Sequence, residues 1–96
     1  MDYLVSAKRM NNLETHIIAV KAMRVIGTVA NDPQIFDRQS VVDAIKRGSS
    51  FATSKLVNNY WQIGADIHIV TINGVNYLRT DKNQTARDNL GELPEF

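Results

Sequence analysis

Tyr3, Val5 and Ala7 alternate with Leu4, Ser6 and Lys8, a two-residue period that suits a strand better than a helix. Asn11-Asn12 follows, and both side chains tolerate the left-handed backbone that a chain reversal needs. Over residues 14–27 the β-branched side chains of Ile17, Ile18, Val20, Val25 and Ile26 favour a second strand. A helix stays open there, because Ile17 with Val20 and Ala19 with Met23 also fall at helical spacing, among good helix formers. The stretch VANDPQIFDRQ (29–39) reads as a connector, with Asn31-Asp32-Pro33 favouring a turn. SVVDAIKRGSS (40–50) is the clearest helix: Ser40 or Asp37 can cap it, Val41, Val42 and Ile45 form its apolar face, Lys46 and Arg47 suit its negative end, and Gly48 stops it.

FATSKL (51–56) alternates as a strand, whereas VNNYWQIGA (57–65) reads as a connector or edge strand, with Trp61 a core or interface residue and Gly64 a turn or bulge. The strongest local signal is DIHIVTINGVNYLRT, in which Asn73-Gly74 forms a two-residue hairpin turn because both residues accept positive φ. That loop length sets Ile72 opposite Val75, Val70 opposite Tyr77 and His68 opposite Arg79 on one face. Thr71 with Asn76, Ile69 with Leu78 and Ile67 with Thr80 share the other. Both faces are apolar and one helix covers only one of them, so a further layer, the C-terminal tail or a second copy of the chain must cover the rest. These elements predict a single α+β domain over residues 1–96: a small antiparallel sheet of four or five strands, one main α-helix, and a C-terminal strap.

Composition sets the bounds. Ninety-six residues make room for one core. Eleven Lys and Arg against ten Asp and Glu leave a net charge of +1, which argues against nucleic acid, whose binding needs several phosphates neutralised. No cysteine is present, so disulfides and thiolate chemistry are excluded and a reducing, cytoplasmic location is the expectation. No basic leader and no apolar run of membrane-spanning length occur, so an unprocessed chain without a membrane anchor is expected.

The candidate chemistry is sparse. Gly27, Gly48, Gly64, Gly74 and Gly91 are scattered singly and build no phosphate loop. His16 and His68 belong to no spaced metal-ligand set. No serine sits in a nucleophile turn. The expectation is therefore no enzyme, no catalytic residues, no cofactor and no metal. Arg79, at the end of a strand beside Tyr77 and His68 and followed by Lys82 and Arg87, offers a planar fork for a carboxylate or phosphate next to an aromatic ring. The structural alternative is that Arg79 pairs with Asp88 and anchors the tail, whose Asn89, Leu90, Leu93 and Phe96 then close the core.

The segment YLRT (77–80), a polar loop, DNL (88–90) and LPEF (93–96), together with the VVDAIKRG helix and IIAVK upstream, resembles a family of small bacterial and phage-encoded proteins of unknown function over about residues 13–96. Tyr77, Leu78, Arg79, Thr80, Asn89, Leu90, Leu93 and Pro94 fit the family's pattern. RVIGTVANDPQIFDRQ and SKLVNNYWQIGAD are longer than the family's usual turns, and such added loop surface can carry partner contacts. The resemblance implies a bacterial or phage origin and transfers no activity.

The function expected is a small binding or interaction module, a homo-oligomer with a possible protein partner or nucleotide ligand. A phage-type inhibitor that sequesters a nucleotide signal or blocks a host defence protein is the first alternative, with Tyr77, Arg79, Lys82 and Arg87 as its contacts. Single-stranded nucleic-acid binding, on Tyr60, Trp61 and Tyr77, is the second.

Overall fold

The computed structural model describes residues 2–81 and 87–96. Strands β1 (Tyr3–Met10), β2 (Ile17–Ile26), β3 (Val29–Ala30) and β4 (Gln34–Asp37) precede helix α1 (Arg38–Lys46), and β5 (Phe51–Val57), β6 (Tyr60–Ile72) and β7 (Val75–Arg79) follow it. The strands form one seven-stranded sheet in the order β3-β2-β1-β5-β6-β7, with β4 also paired to β2. β1 runs parallel to β5 and every other pair is antiparallel. The expected sheet of four or five antiparallel strands with one main helix is thus corrected to a larger mixed sheet with, among the described residues, one helix of nine residues.

The correction has local causes. The supposed connector 29–39 contains two short strands, β3 after a turn at Gly27 (φ 62°) and β4 after Pro33. β3 and β4 share the outer edge of β2, along Val25–Ile26 and Ala19–Ala22 respectively. Residues 17–26 are strand, because β2 has a partner on both sides and its β-branched side chains pack on a pleated surface. At the first reversal the positive φ belongs to Glu14 (54°) and not to the asparagines. The Asn11 side chain instead closes the loop, its Oδ1 accepting the Thr15 and His16 N–H groups at 2.8 and 3.2 Å.

Asp37 is the residue that caps α1, its Oδ1 accepting the Ser40 N–H at 2.7 Å. Hydrogen bonding from the Ser40 side chain, and after it from the Ser40 N–H, holds the exposed carboxyl below its ordinary pKa of 3.8. At the other end Gly48 (φ 100°) lets its own N–H reach the Ile45 carbonyl and the Ser49 N–H reach Ala44, both at 3.0 Å. This double closure satisfies the last helical carbonyls.

Two tight hairpins shape the second half. Asn73 (φ 51°) and Gly74 (φ 79°) turn β6 into β7 with His68, Val70 and Ile72 opposite Arg79, Tyr77 and Val75. Asn58 (φ 51°) and Asn59 (φ 66°) make an equivalent two-residue turn between β5 and β6, so of the connector or edge strand expected at 57–65 it is the strand that forms, broken only by this turn. At the foot of this hairpin Thr53 of β5 faces both Gly64 and Ala65, a bulge between Ala52 and Ser54 of the kind that bends a strand. A Cβ on Gly64 would lie 2.3 Å from Thr53 Oγ1 and 3.2 Å from its carbonyl oxygen. Gly64→Ala is therefore expected to cost about 1–3 kcal/mol by overpacking. The loss should shrink in a Thr53→Ala background, as denaturant unfolding of the two single variants and the double variant would show.

The main core gathers Val5, Ile17, Val20, Val41, Val42 and Phe51 with Ile67 and Leu78, and the tail adds Leu90 and Leu93. A smaller cluster of Leu4, Met23 and Ala52 lies apart from it. Among the described residues, no helix is long and apolar enough to cross a membrane.

Candidate functional site

The tail, residues 87–96, runs as a strap between distant strands. Asn89 donates its N–H to the Leu78 carbonyl at 2.8 Å and accepts from Thr80 N–H at 3.0 Å, a parallel bridge on the edge of β7. A few residues later Lys8 donates to the Pro94 carbonyl at 2.8 Å and accepts from Phe96 N–H at 3.0 Å. Here β1 has parted from β5, with which it pairs only from Tyr3 to Val5.

Asp88 fixes this closure. One carboxylate oxygen accepts from Leu78 N–H of β7 at 2.8 Å and from Arg38 Nη2 at 2.8 Å. The other accepts from Ile17 N–H of β2 at 2.8 Å and from Arg38 Nε at 3.0 Å. A single carboxylate spans only about 2 Å between its oxygens, so β2 and β7, four places apart in the sheet, must come back together. The sheet is curled, and Asp88 is its clasp. Arg38 also donates to the Asn76 carbonyl.

The expected Arg79–Asp88 ion pair is not the one made. Arg79 grips Asp81 with two parallel bonds, at 2.7 and 2.9 Å, and donates Nη1 to the Arg87 carbonyl at 2.7 Å. The guanidinium is nearly buried, and the hydrogen bond to Asp81 raises its pKa against the opposing effect of burial. Arg79 therefore holds Asp81, just after β7, and Arg87, the neighbour of Asp88. Tyr77 is buried, with His16 stacked against it at 6.1 Å and the Arg38 guanidinium 5.8 Å from its ring centre. His68 is half-buried opposite Arg79, Arg87 is exposed, and Lys82 lies outside the described residues. Leu90 and Leu93 are buried in the core, and Asn89 is exposed while its backbone pairs with β7. Phe96 lies beneath Arg9 and Lys21, 4.5 and 5.0 Å from its ring centre.

Two clefts flank the strap. The polar one, about 470 Å³, is lined by Lys8, Glu14, Arg79, Arg87, Asp88 and Glu95 among others. Three of its charges are engaged: Lys8 Nζ donates to the Gly91 carbonyl at 3.0 Å, and Arg79 and Asp88 have the partners given above. Among the described residues, no group of His, Asp or Glu is placed to hold a metal.

The other cleft is a groove of about 660 Å³ between the strap and the β5–β6 hairpin, lined by Leu56, Trp61, Gly64, Leu90, Leu93 and Pro94 among others. Here the hairpin stands clear of the core as an arm. Leu56 is 54%, Ile63 60% and Tyr60 77% exposed, and Trp61, at 38%, lies outside the core, one of the two positions, core or interface, expected for it. Opposite residues of an antiparallel pair share a face, so Leu56 with Trp61 and Ser54 with Ile63 put the three large apolar side chains on one side.

Sequence reasoning passed over two features that matter here. Arg38 stands in the first turn of α1, where the helix dipole disfavours a cation, and that mismatch signals a carboxylate elsewhere. Asn58-Asn59 carries the same tolerance of positive φ as Asn73-Gly74, and reading it as a hairpin turn would have revealed the arm.

No curated protein and no solved structure is a match to this chain. A family of proteins of unknown function, DUF3892, matches over residues 5–94, a span that takes in β1 as well as the segment from residue 13 onward. The chain belongs to that family.

Proposed function

We propose that the domain is a non-catalytic interaction module whose working surface is the arm of residues 54–65 with the adjoining groove, and whose partner is protein. The observation that carries the reading is the one-sided display of Leu56, Trp61 and Ile63 beside a groove floored by Leu90 and Leu93. An extended segment laid along β6 would gain backbone hydrogen bonds from the strand and seat alternate side chains in the groove, the usual logic of strand addition.

Selection from a displayed library of random peptides tests this. Extended, apolar, uncharged peptides should be enriched and should shift the fluorescence of Trp61, the single tryptophan. Leu56→Glu, at an exposed position, should weaken their binding about tenfold or more, the cost of setting an unpaired charge against apolar surface. Failure to enrich any such peptide against a form of the domain whose β6 edge is free, or indifference of the enriched ones to Leu56→Glu, would remove the proposal.

A further inference from the structure

β6 is longer than either neighbour. It pairs with β5 from Tyr60 to Ile67 and with β7 only from His68 to Ile72, so among the described residues no strand pairs with its far edge between Tyr60 and Asp66. The turn fixes what that edge presents. Val57 and Tyr60 close a two-residue loop, and such a closing pair exchanges its N–H and C=O groups. Alternation then points the backbone groups of Gln62 toward β5 and those of Trp61 and Ile63 outward. From Tyr60 to Ala65 the strand has no charge and no proline. Edges left in water normally carry such protection against pairing.

We infer that a second copy of this chain covers this edge, β6 pairing antiparallel with β6 of its partner about a two-fold axis through Gln62. The inference rests on the arm being the working surface and names its occupant.

Self-complementarity selects a second copy over an unrelated segment. A two-fold axis normal to an antiparallel pair passes through one residue, and its neighbours on either side face each other. With the axis at Gln62, Trp61 lies opposite the partner's Ile63 and Ile63 opposite the partner's Trp61. These are the residues whose backbone groups face outward, so four N–H to carbonyl bonds form across the join. Aromatic with β-branched is also a favourable cross-strand pairing. Tyr60 meets the partner's Gly64, which offers no side chain to clash. No charged side chain meets another. Placing the axis at Trp61 would run the ladder into the Asn58-Asn59 turn, and placing it at Ile63 would run it through the bulge at Gly64 and Ala65. The contact is the same patch on both copies and closes on itself, so assembly stops at two.

The chain has no cysteine, so a single introduced thiol reports one position. On the axis, Gln62 faces its own copy in the closer, non-hydrogen-bonded type of pair, within reach of a disulfide after small adjustment. Gln62→Cys should cross-link to a species of twice the 10.8 kDa chain mass on mild oxidation. Ile35→Cys, also at an exposed position, on β4, should not. Light scattering of the unmodified protein at high micromolar concentration should give the doubled mass. Gln62→Lys should give a monomer, as should Gln62→Glu, and mixing the two should restore the dimer, because like charges then become opposite ones across the axis.

A monomeric unmodified protein, or Gln62→Cys cross-linking no faster than Ile35→Cys, would overturn the inference. Peptide selection repeated on monomeric Gln62→Lys separates the two readings. Binding there with no dimer in the unmodified protein would sink the second copy alone, while absence of both would remove the arm as a working surface.

Discussion

Asp88→Ala should lower the melting temperature by roughly 12–40 °C, taking about 4–8 °C per kcal/mol for a domain of this size and a loss of about 3–5 kcal/mol for breaking a buried ion pair. The side chain is wholly buried and accepts four hydrogen bonds. Truncation leaves the Ile17 and Leu78 N–H groups without an acceptor, and a buried donor left unpaired costs about 1–3 kcal/mol. It also leaves the Arg38 guanidinium without its counter-charge. A domain of 96 residues has a total stability of only about 5–14 kcal/mol, so this one carboxylate decides much of it. Arg38→Ala should cost less, because the guanidinium is partly exposed and both backbone donors to Asp88 survive. The double variant should cost less than the sum of the two single variants. Thermal unfolding of the four proteins checks all three statements, and additive losses would mean that Arg38 and Asp88 do not act as a pair.

Phe51→Ala should cost about 3–5 kcal/mol, the usual range for removing a fully buried aromatic ring. Phe51 is 1% exposed. Its ring stacks on Tyr3 at 4.7 Å and meets Phe36 edge-on at 6.3 Å, while Tyr3 and Phe36 touch at 5.4 Å. Tyr3 belongs to β1, Phe36 to β4 and Phe51 to β5, so this aromatic triad ties the sheet's parallel pair to the strand that leads into the helix. Phe51→Leu should lose much less, since most of the apolar volume returns. Equal losses for the two variants in denaturant unfolding would show that ring geometry, and not burial, sets the stability there.

How far the sequence reached depends on whether a signal was local. Asn73-Gly74 fixed the register of β6 and β7 because the turn and the alternation around it agree, and the Asp37 cap and Gly48 stop bounded α1 for the same reason. The strands β3 and β4 were read as connector because each is too short to show a period, and only the edge of β2 gives them a role. The partner of Asp88 was misassigned. Sequence proximity favoured Arg79, ten residues or fewer away, over Arg38, fifty residues away, and spacing along a chain says nothing about a sheet that curls until its strands meet. The arm was hidden by its composition. Leu56, Trp61 and Ile63 look like core residues, and only the register of β5 with β6 puts them on a surface.

Asp88 draws β2 and β7 together. Residue-resolved amide hydrogen exchange tests this most directly, because the two N–H groups that donate to it, Ile17 at the start of β2 and Leu78 one residue before the end of β7, have this carboxylate as acceptor. Both should exchange as slowly as the core amide of Val20, and both should speed up together in Asp88→Ala. Exchange of Ile17 and Leu78 at the rate of the exposed Asn58 amide in the unmodified protein would contradict a curled sheet closed at this point.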